Sequence, residues 1–167
     1  MLRVKTSCCR SNKVTGNALK IHVKESVTFS HKSGFAFEVT APKIERVASG
    51  GAASIEGSGF NGGKLAVDIS GVGSVKLSGR VEEFKADLSG AGSLNSAALI
   101  AEDVKVDLSG VGSADVHADK RIRANVSGLG SITWQGGATD VKSDVSGLGS
   151  VRKNGGSSKS AEVKINV

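Results

Sequence analysis

The sequence predicts an all-β fold, a right-handed parallel β-helix wound in rungs of about 19 residues, with irregular strands at both ends. Three observations predict it. The phrase Ser-Gly-x-Gly-Ser occurs five times, starting at Ser70, Ser89, Ser109, Ser127 and Ser146, so the intervals are 19, 20, 18 and 19 residues. Apolar residues alternate ahead of every copy. Glycine accounts for 23 of the 167 residues against one proline, and the apolar fraction is only 38%. A fixed period marks stacked units that bury their apolar faces only against their neighbours. A thin core wrapped by a sheet, with glycine at its corners, suits that composition.

Residues 1–15 read as a poorly defined N-terminal segment. Residues 16–167 read as one domain, with regular repeats from about 64 to 153. Met1 to Ser7 has no apolar h-region, so no signal peptide is visible. Cys8 and Cys9 are adjacent and have no other cysteine to pair with, which is too few ligands for a metal or redox site. Leu19-Ile21-Val23, Val27-Phe29 and Phe35-Phe37-Val39 alternate as strands do. Ser49 to Ser54 looks like a degenerate corner, 21 residues before Ser70.

Aligned on the first serine, the repeats form columns. Ile69, Leu88, Leu108, Val126 and Val145 come immediately before it. Two places earlier stand Val67, Ala86, Val106, Ala124 and Ser143, and two earlier again Leu65, Phe84, Val104, Ile122 and Val141. Every second place is apolar, the signature of a half-buried strand. After the corner, Val75, Leu94, Ala114, Ile132 and Val151 begin another strand, followed by variable returns such as Leu77 to Glu83 and Ser96 to Asp103. The central x is apolar too: Val72, Ala91, Val111, Leu129 and Leu148.

Two glycines and two serines in five residues oppose a helix. A sharp corner that needs positive φ explains Gly71, Gly73, Gly90, Gly92, Gly110, Gly112, Gly128, Gly130, Gly147 and Gly149. The constant phase favours a coil that winds forward, because a meander would reverse direction at each strand. A meander-based sandwich is the alternative. Asn154 to Ser160 reads as a flexible loop, and Ala161, Val163, Ile165 and Val167 as a closing strand.

The outward positions supply the candidate binding surface. Asp68, Asp87, Asp107, Asn125 and Asp144 form one file, and Ala66, Lys85, Lys105, Arg123 and Lys142 the neighbouring one. Carboxylates stacked ~4.8 Å apart repel by about 0.9 kcal/mol in a water-like dielectric. A parallel basic file offsets much of that, and Asn125 removes one charge. The binding residues expected on this ladder are Asp87, Asp107, Asp144, Lys85, Lys105, Arg123 and Trp134. Trp134, the lone tryptophan, falls in the variable column of Leu77, Ser96, Val116 and Lys153, near a rim, either stacking on sugar or packing over Gly136-Gly137.

These residues resemble the putative auto-transporter adhesin head GIN domain family. The features run in order: Thr40-Ala41-Pro42-Lys43-Ile44, Val47 and Ser49-Gly50, then the Ser-Gly-x-Gly-Ser rungs. Ile132-Thr133-Trp134-Gln135-Gly136, Val141 and the last rung at Ser146 to Ser150 follow. The match covers roughly residues 16 to 153. The resemblance implies a right-handed β-helix, an adhesin-like role and export from a bacterial cell to the periplasm or surface. It carries no catalytic residues. Family members usually begin with an export signal, so the start of this chain reads as truncated, misassigned or already relieved of its signal.

Several chemistries are excluded or set aside. Residues 1–46 hold nine basic and three acidic residues and so the entire net charge of +6, leaving the repeats neutral and without a basic face for nucleic acid. No apolar run approaches the ~18 residues of a membrane span. The Gly-x-Gly elements lack the following helix and lysine of a phosphate loop. Lysines on the aspartate face disfavour calcium, and His22, His31 and His117 share no ligand spacing, so no metal and no cofactor are expected. A polysaccharide-cleaving site would need an irregular cluster in a cleft, and these charges repeat regularly. The expectation is therefore a non-enzymatic cell-envelope or surface module, without catalytic residues, whose ladder binds a glycan or an envelope protein. A second copy of the chain is a further candidate partner. The alternative is a self-assembling filament of the bactofilin kind; a polysaccharide-cleaving enzyme is the third reading.

Overall fold

The computed structural model describes residues 44–154 throughout. Outside them it describes only the backbone of five short strands. The chain divides into two units, Met1–Pro42 and Lys43–Val167. The first holds β1 (Arg3–Thr6), β2 (Asn12–Thr15), β3 (Ala18–Ile21) and β4 (Phe37–Thr40). Strand β1 pairs antiparallel with β4, and β2 with β3. The strands expected around Leu19-Ile21 and Phe37-Val39 are therefore present. Val27-Phe29, Cys8, Cys9, His22 and His31 lie outside the described residues, as does most of the loop expected from Asn154 to Ser160.

The second unit is a parallel β-solenoid. Its strands are β5 (Arg46–Ser49), β6 (Ala52–Ile69), β7 (Val72–Leu88), β8 (Ala91–Leu108), β9 (Val111–Val126), β10 (Leu129–Gln135), β11 (Asp140–Val145), β12 (Ser150–Lys153) and β13 (Glu162–Ile165). One path of pairing runs β12-β10-β9-β8-β7-β6-β5, and β11 lies between β9 and β13. Every one of these pairs is parallel, so the chain winds forward and does not meander. Like positions of the repeat stack directly: Val72 opposes Ala91, Ala91 opposes Val111, and Val111 opposes Leu129.

The returns between repeats are more regular than the sequence suggests. From β6 to β9 each turn is nearly continuous strand, 16 to 18 residues long, broken only at the Ser-Gly step. Irregularity is confined to register shifts such as Gly57/Phe60, Lys76/Ser78 and Ser96/Ile100. Such bulges bend a strand without ending its ladder. The ladder also runs through the corners, where Ala91 N–H donates to Gly71 O at 3.1 Å and Val111 N–H to Gly90 O at 3.0 Å.

The reason for the repeat glycines needs correcting. Positive φ belongs to Gly59 (75°), Gly79 (144°) and Gly136 (112°), and to none of the ten motif glycines. What excludes a side chain at the motif is the preceding rung. A Cβ on Gly71, Gly90, Gly110 or Gly128 would collide with the carbonyl of Gly51, Gly71, Gly90 or Gly110 respectively. The second glycine of each motif meets the same obstacle one file over, as Gly112 does against Gly92. Close stacking of backbone on backbone demands glycine here.

The core fills the coil in vertical files. Phe84, Leu65 and Ile122 are among the largest fully buried side chains and share the file that also holds Val104. Large and small residues alternate in others, as in Val67, Ala86, Val106 and Ala124, which keeps the cross-section filled. Each buried Val, Leu or Phe contributes about 1.5–3 kcal/mol relative to exposure. Ser96, wholly buried, is satisfied by donating to Asp115 O at 2.9 Å.

Candidate functional site

The polar ladder stands on the face built from the last part of each turn. Its basic file runs Arg46, Ala66, Lys85, Lys105, Arg123 and Lys142; its acidic file runs Ala48, Asp68, Asp87, Asp107, Asn125 and Asp144. Alternation along the strand turns these residues outward because Leu65, Val67 and Ile69 and their equivalents turn in. Strand β13 continues both files with the charges exchanged, Glu162 beside Lys142 and Lys164 beside Asp144.

Ion pairs on this face form mostly within a rung. Lys85 reaches Asp87 at 2.9 Å and Lys105 reaches Asp107 at 3.0 Å. Arg46 bridges to the next rung, with Nε 2.8 Å from Asp68 Oδ2. Asn125 donates Nδ2–H to Asp107 Oδ1 at 2.5 Å, which explains an amide in an acidic file. Partial burial pushes the Asp107 carboxyl up, but hydrogen bonds from Asn125 and Lys105 outweigh it and hold the group below the usual carboxylate range. The hydrogen bond to Asp87 raises the Lys85 ammonium above its ordinary value. On this face Arg46–Asp68, Lys85–Asp87 and Lys105–Asp107 are partly exposed ion pairs.

A second charged file escaped the sequence reading. Lys64, Glu83, Asp103, Arg121 and Asp140 oppose one another rung by rung. Here the bonds run between rungs: Lys64 to Glu83 at 2.7 Å, and Arg121 to Asp103 as a fork at 2.7 and 2.8 Å. The Arg121 hydrogen bond lowers the Asp103 carboxyl despite some desolvation. The signal was available, since these five residues are 19, 20, 18 and 19 apart, the intervals of the motif itself.

Trp134 requires a correction. It is 4% exposed, two places after the inward-facing Ile132, and belongs to the core rather than to the outward ladder. Strand parity turns it inward, leaving no ring face for a sugar to stack on. Lys153 covers it from the following rung, with Nζ 4.7 Å from the ring centroid. His117 meets Asp119 at 3.1 Å and Gln135 at 3.5 Å. Among the described residues no three His, Cys, Asp or Glu side chains converge as metal ligands.

The central residues of the motif, which sequence reasoning left unplaced, point outward. Val72 is 62% exposed, Val111 56%, Leu129 52% and Leu148 85%. Counting by twos from Ile69 through the corner to Val75 reveals this parity, since Val72 falls on the opposite count.

Comparisons with known proteins agree with this architecture. The family described as putative auto-transporter adhesin, head GIN domain, matches residues 11–138. A solved structure of a putative adhesin from Bacteroides fragilis is similar, with a TM-score of 0.55 at 20% identity over 90% of this chain and 76% of that one. That likeness concerns the fold. No curated protein matches the chain.

Proposed function

Because this chain belongs to the putative auto-transporter adhesin, head GIN domain family, we propose that it is a non-enzymatic, extracytoplasmic binding module of a bacterial envelope. Its ligand is a polar chain, a glycan or an extended segment of an envelope protein, laid along the Lys–Asp ladder. The observation that carries this reading is the register of the ladder: Lys85 and Asp87 stand directly below Lys105 and Asp107, and each pair is closed within its own rung. A row of paired charges at constant spacing suits a repeating polymer better than a single small molecule. Exposed ion pairs contribute little to stability, so exchanging them for ligand contacts costs little.

The test is a glycan array and an envelope-protein panel probed with the purified chain and with Asp87→Lys, Asp107→Lys and Asp144→Lys. Binding that weakens at least tenfold in the variants supports the ladder. An undiminished signal moves the site elsewhere, and no signal on any probe counts against a binding module.

A further inference from the structure

The row of outward apolar residues at the corner is used by neither the core nor the polar ladder. Val72, Ala91, Val111 and Leu129 are stacked in direct register, and Leu148 continues the row two residues before Ser150, which pairs with Ser131. Val72, Val111, Leu129 and Leu148, at 52–85% exposure, and the exposed Ala91 present on the order of 400 Å² of apolar surface, the range in which exposed patches mark interaction sites. The five motifs that carry the row contain only Ser, Gly, Val, Ala and Leu. In a chain with 23% charged residues, this is a band five rungs long without one ionisable group. Depletion of charge at the centre and a charged rim is the anatomy of a protein interface. The rim is present, with Asp68, Asp87, Asp107 and Asp144 on one side and Lys76, Asp115 and Arg152 on the other.

We propose that this row pairs two copies of the chain, antiparallel, about a two-fold axis close to Val111. A row of knobs at the rung spacing meshes best with another row of the same spacing, and a second copy of this chain carries one. The repeats that carry the row have no net charge of their own, the +6 of the chain lying in residues 1–46. The order of sizes selects the direction. Antiparallel pairing sets Val72 against Leu148 and Ala91 against Leu129, small against large, with Val111 near its own mate. Parallel pairing would set Ala91 against Ala91 and both leucines against leucines, leaving a gap beside a bulge. An isologous contact of this kind closes at two copies. The row supplies about half of the roughly 800 Å² per partner that an interface of standard size buries, so the dimer is expected to be a weak one.

The full chain with Cys8→Ser and Cys9→Ser, which removes competing thiols, provides the test. Sedimentation is expected to show a dimer, and Leu129→Glu or Leu148→Glu to weaken it at least tenfold while the far-ultraviolet circular dichroism stays unchanged and the melting curve, read at a concentration too low for dimers, does too. Leu148, at 85% exposure, cannot disturb the core. Under mild oxidation Val111→Cys is expected to cross-link to itself and Val72→Cys is not, whereas a mixture of Val72→Cys and Leu148→Cys forms the mixed product. Acidic files face each other across an antiparallel contact, so added salt strengthens the dimer. The proposal is overturned by a chain that stays monomeric to its solubility limit, by a dimer indifferent to both glutamates, or by self-linking of Val72→Cys. None of these results depends on the ladder binding a ligand.

Discussion

Gly51 and Gly110 belong to the same corner file of the solenoid but have different neighbours. A Cβ on Gly110 would collide with the Gly90 carbonyl, whereas a Cβ on Gly51 would find nothing within 4 Å. The Cβ direction at this corner runs along the stack toward the preceding rung. Among the described residues no strand stacks against the start of β6 on the side away from β7, so the constraint begins one turn later. The sequence already contains the matching substitution. Ala53 occupies the file of Gly73, Gly92 and Gly112, in the one described turn where a Cβ has room. What looked like a degenerate corner from Ser49 to Ser54 is a first rung released from a steric rule. Glycine in this motif is thus a property of the stack and not of the local bend.

The largest effect that would break this comparison is at the inner corners. Gly110→Ala and Gly73→Ala are expected to lose about 3 kcal/mol or more, because the obstacle is backbone and cannot turn aside. Gly51→Ala and Ala53→Gly should change stability by no more than about 0.5 kcal/mol, the ordinary range of surface changes. Urea denaturation of the four variants measures both. Equal losses at Gly51 and Gly110 would return the explanation to local backbone conformation.

A smaller effect sharpens the contrast between corner and face. Asp107→Asn keeps the shape of the ladder and removes a partly exposed charge, so a change below about 1 kcal/mol is expected in the same assay. The face tolerates what the corner does not, since its side chains can move.

The smallest effect is in pH. Asp103 and Asp107 are held below the usual carboxylate range in the folded chain. Their contribution is therefore complete above the ordinary carboxylate pKa and is lost as pH falls through the lowered folded values. Thermal melts between neutral pH and pH 3 should show a modest acid loss that Asp107→Asn reduces. Lys85 and Lys120 are raised, so their contribution persists below the ordinary lysine value and fades only above it.

Much of the fold was legible because one physical rule writes it repeatedly. Alternation of Leu65, Val67 and Ile69, recurring at the motif interval, placed the inner files and the Lys85–Asp87 ladder in the register that the strands adopt. Trp134 was misplaced because column variability was read as exposure, when strand parity after Ile132 turns it inward. The outward row from Val72 to Leu148 was seen as apolar but not placed, since parity had not been carried across the corner.

Period, strand alternation and charge pattern are properties of the chain in order, and a forward-winding coil converts them directly into neighbours. By itself, the sequence therefore determined the solenoid, its inner files and its ladder. The reason for the motif glycines, the Lys153 that covers Trp134 and the bonds of Asn125 to Asp107 and Arg121 to Asp103 rest on contacts between residues about 18 to 20 positions apart. Only stacking one turn on the previous one brings those atoms together, so only the tertiary structure decided them.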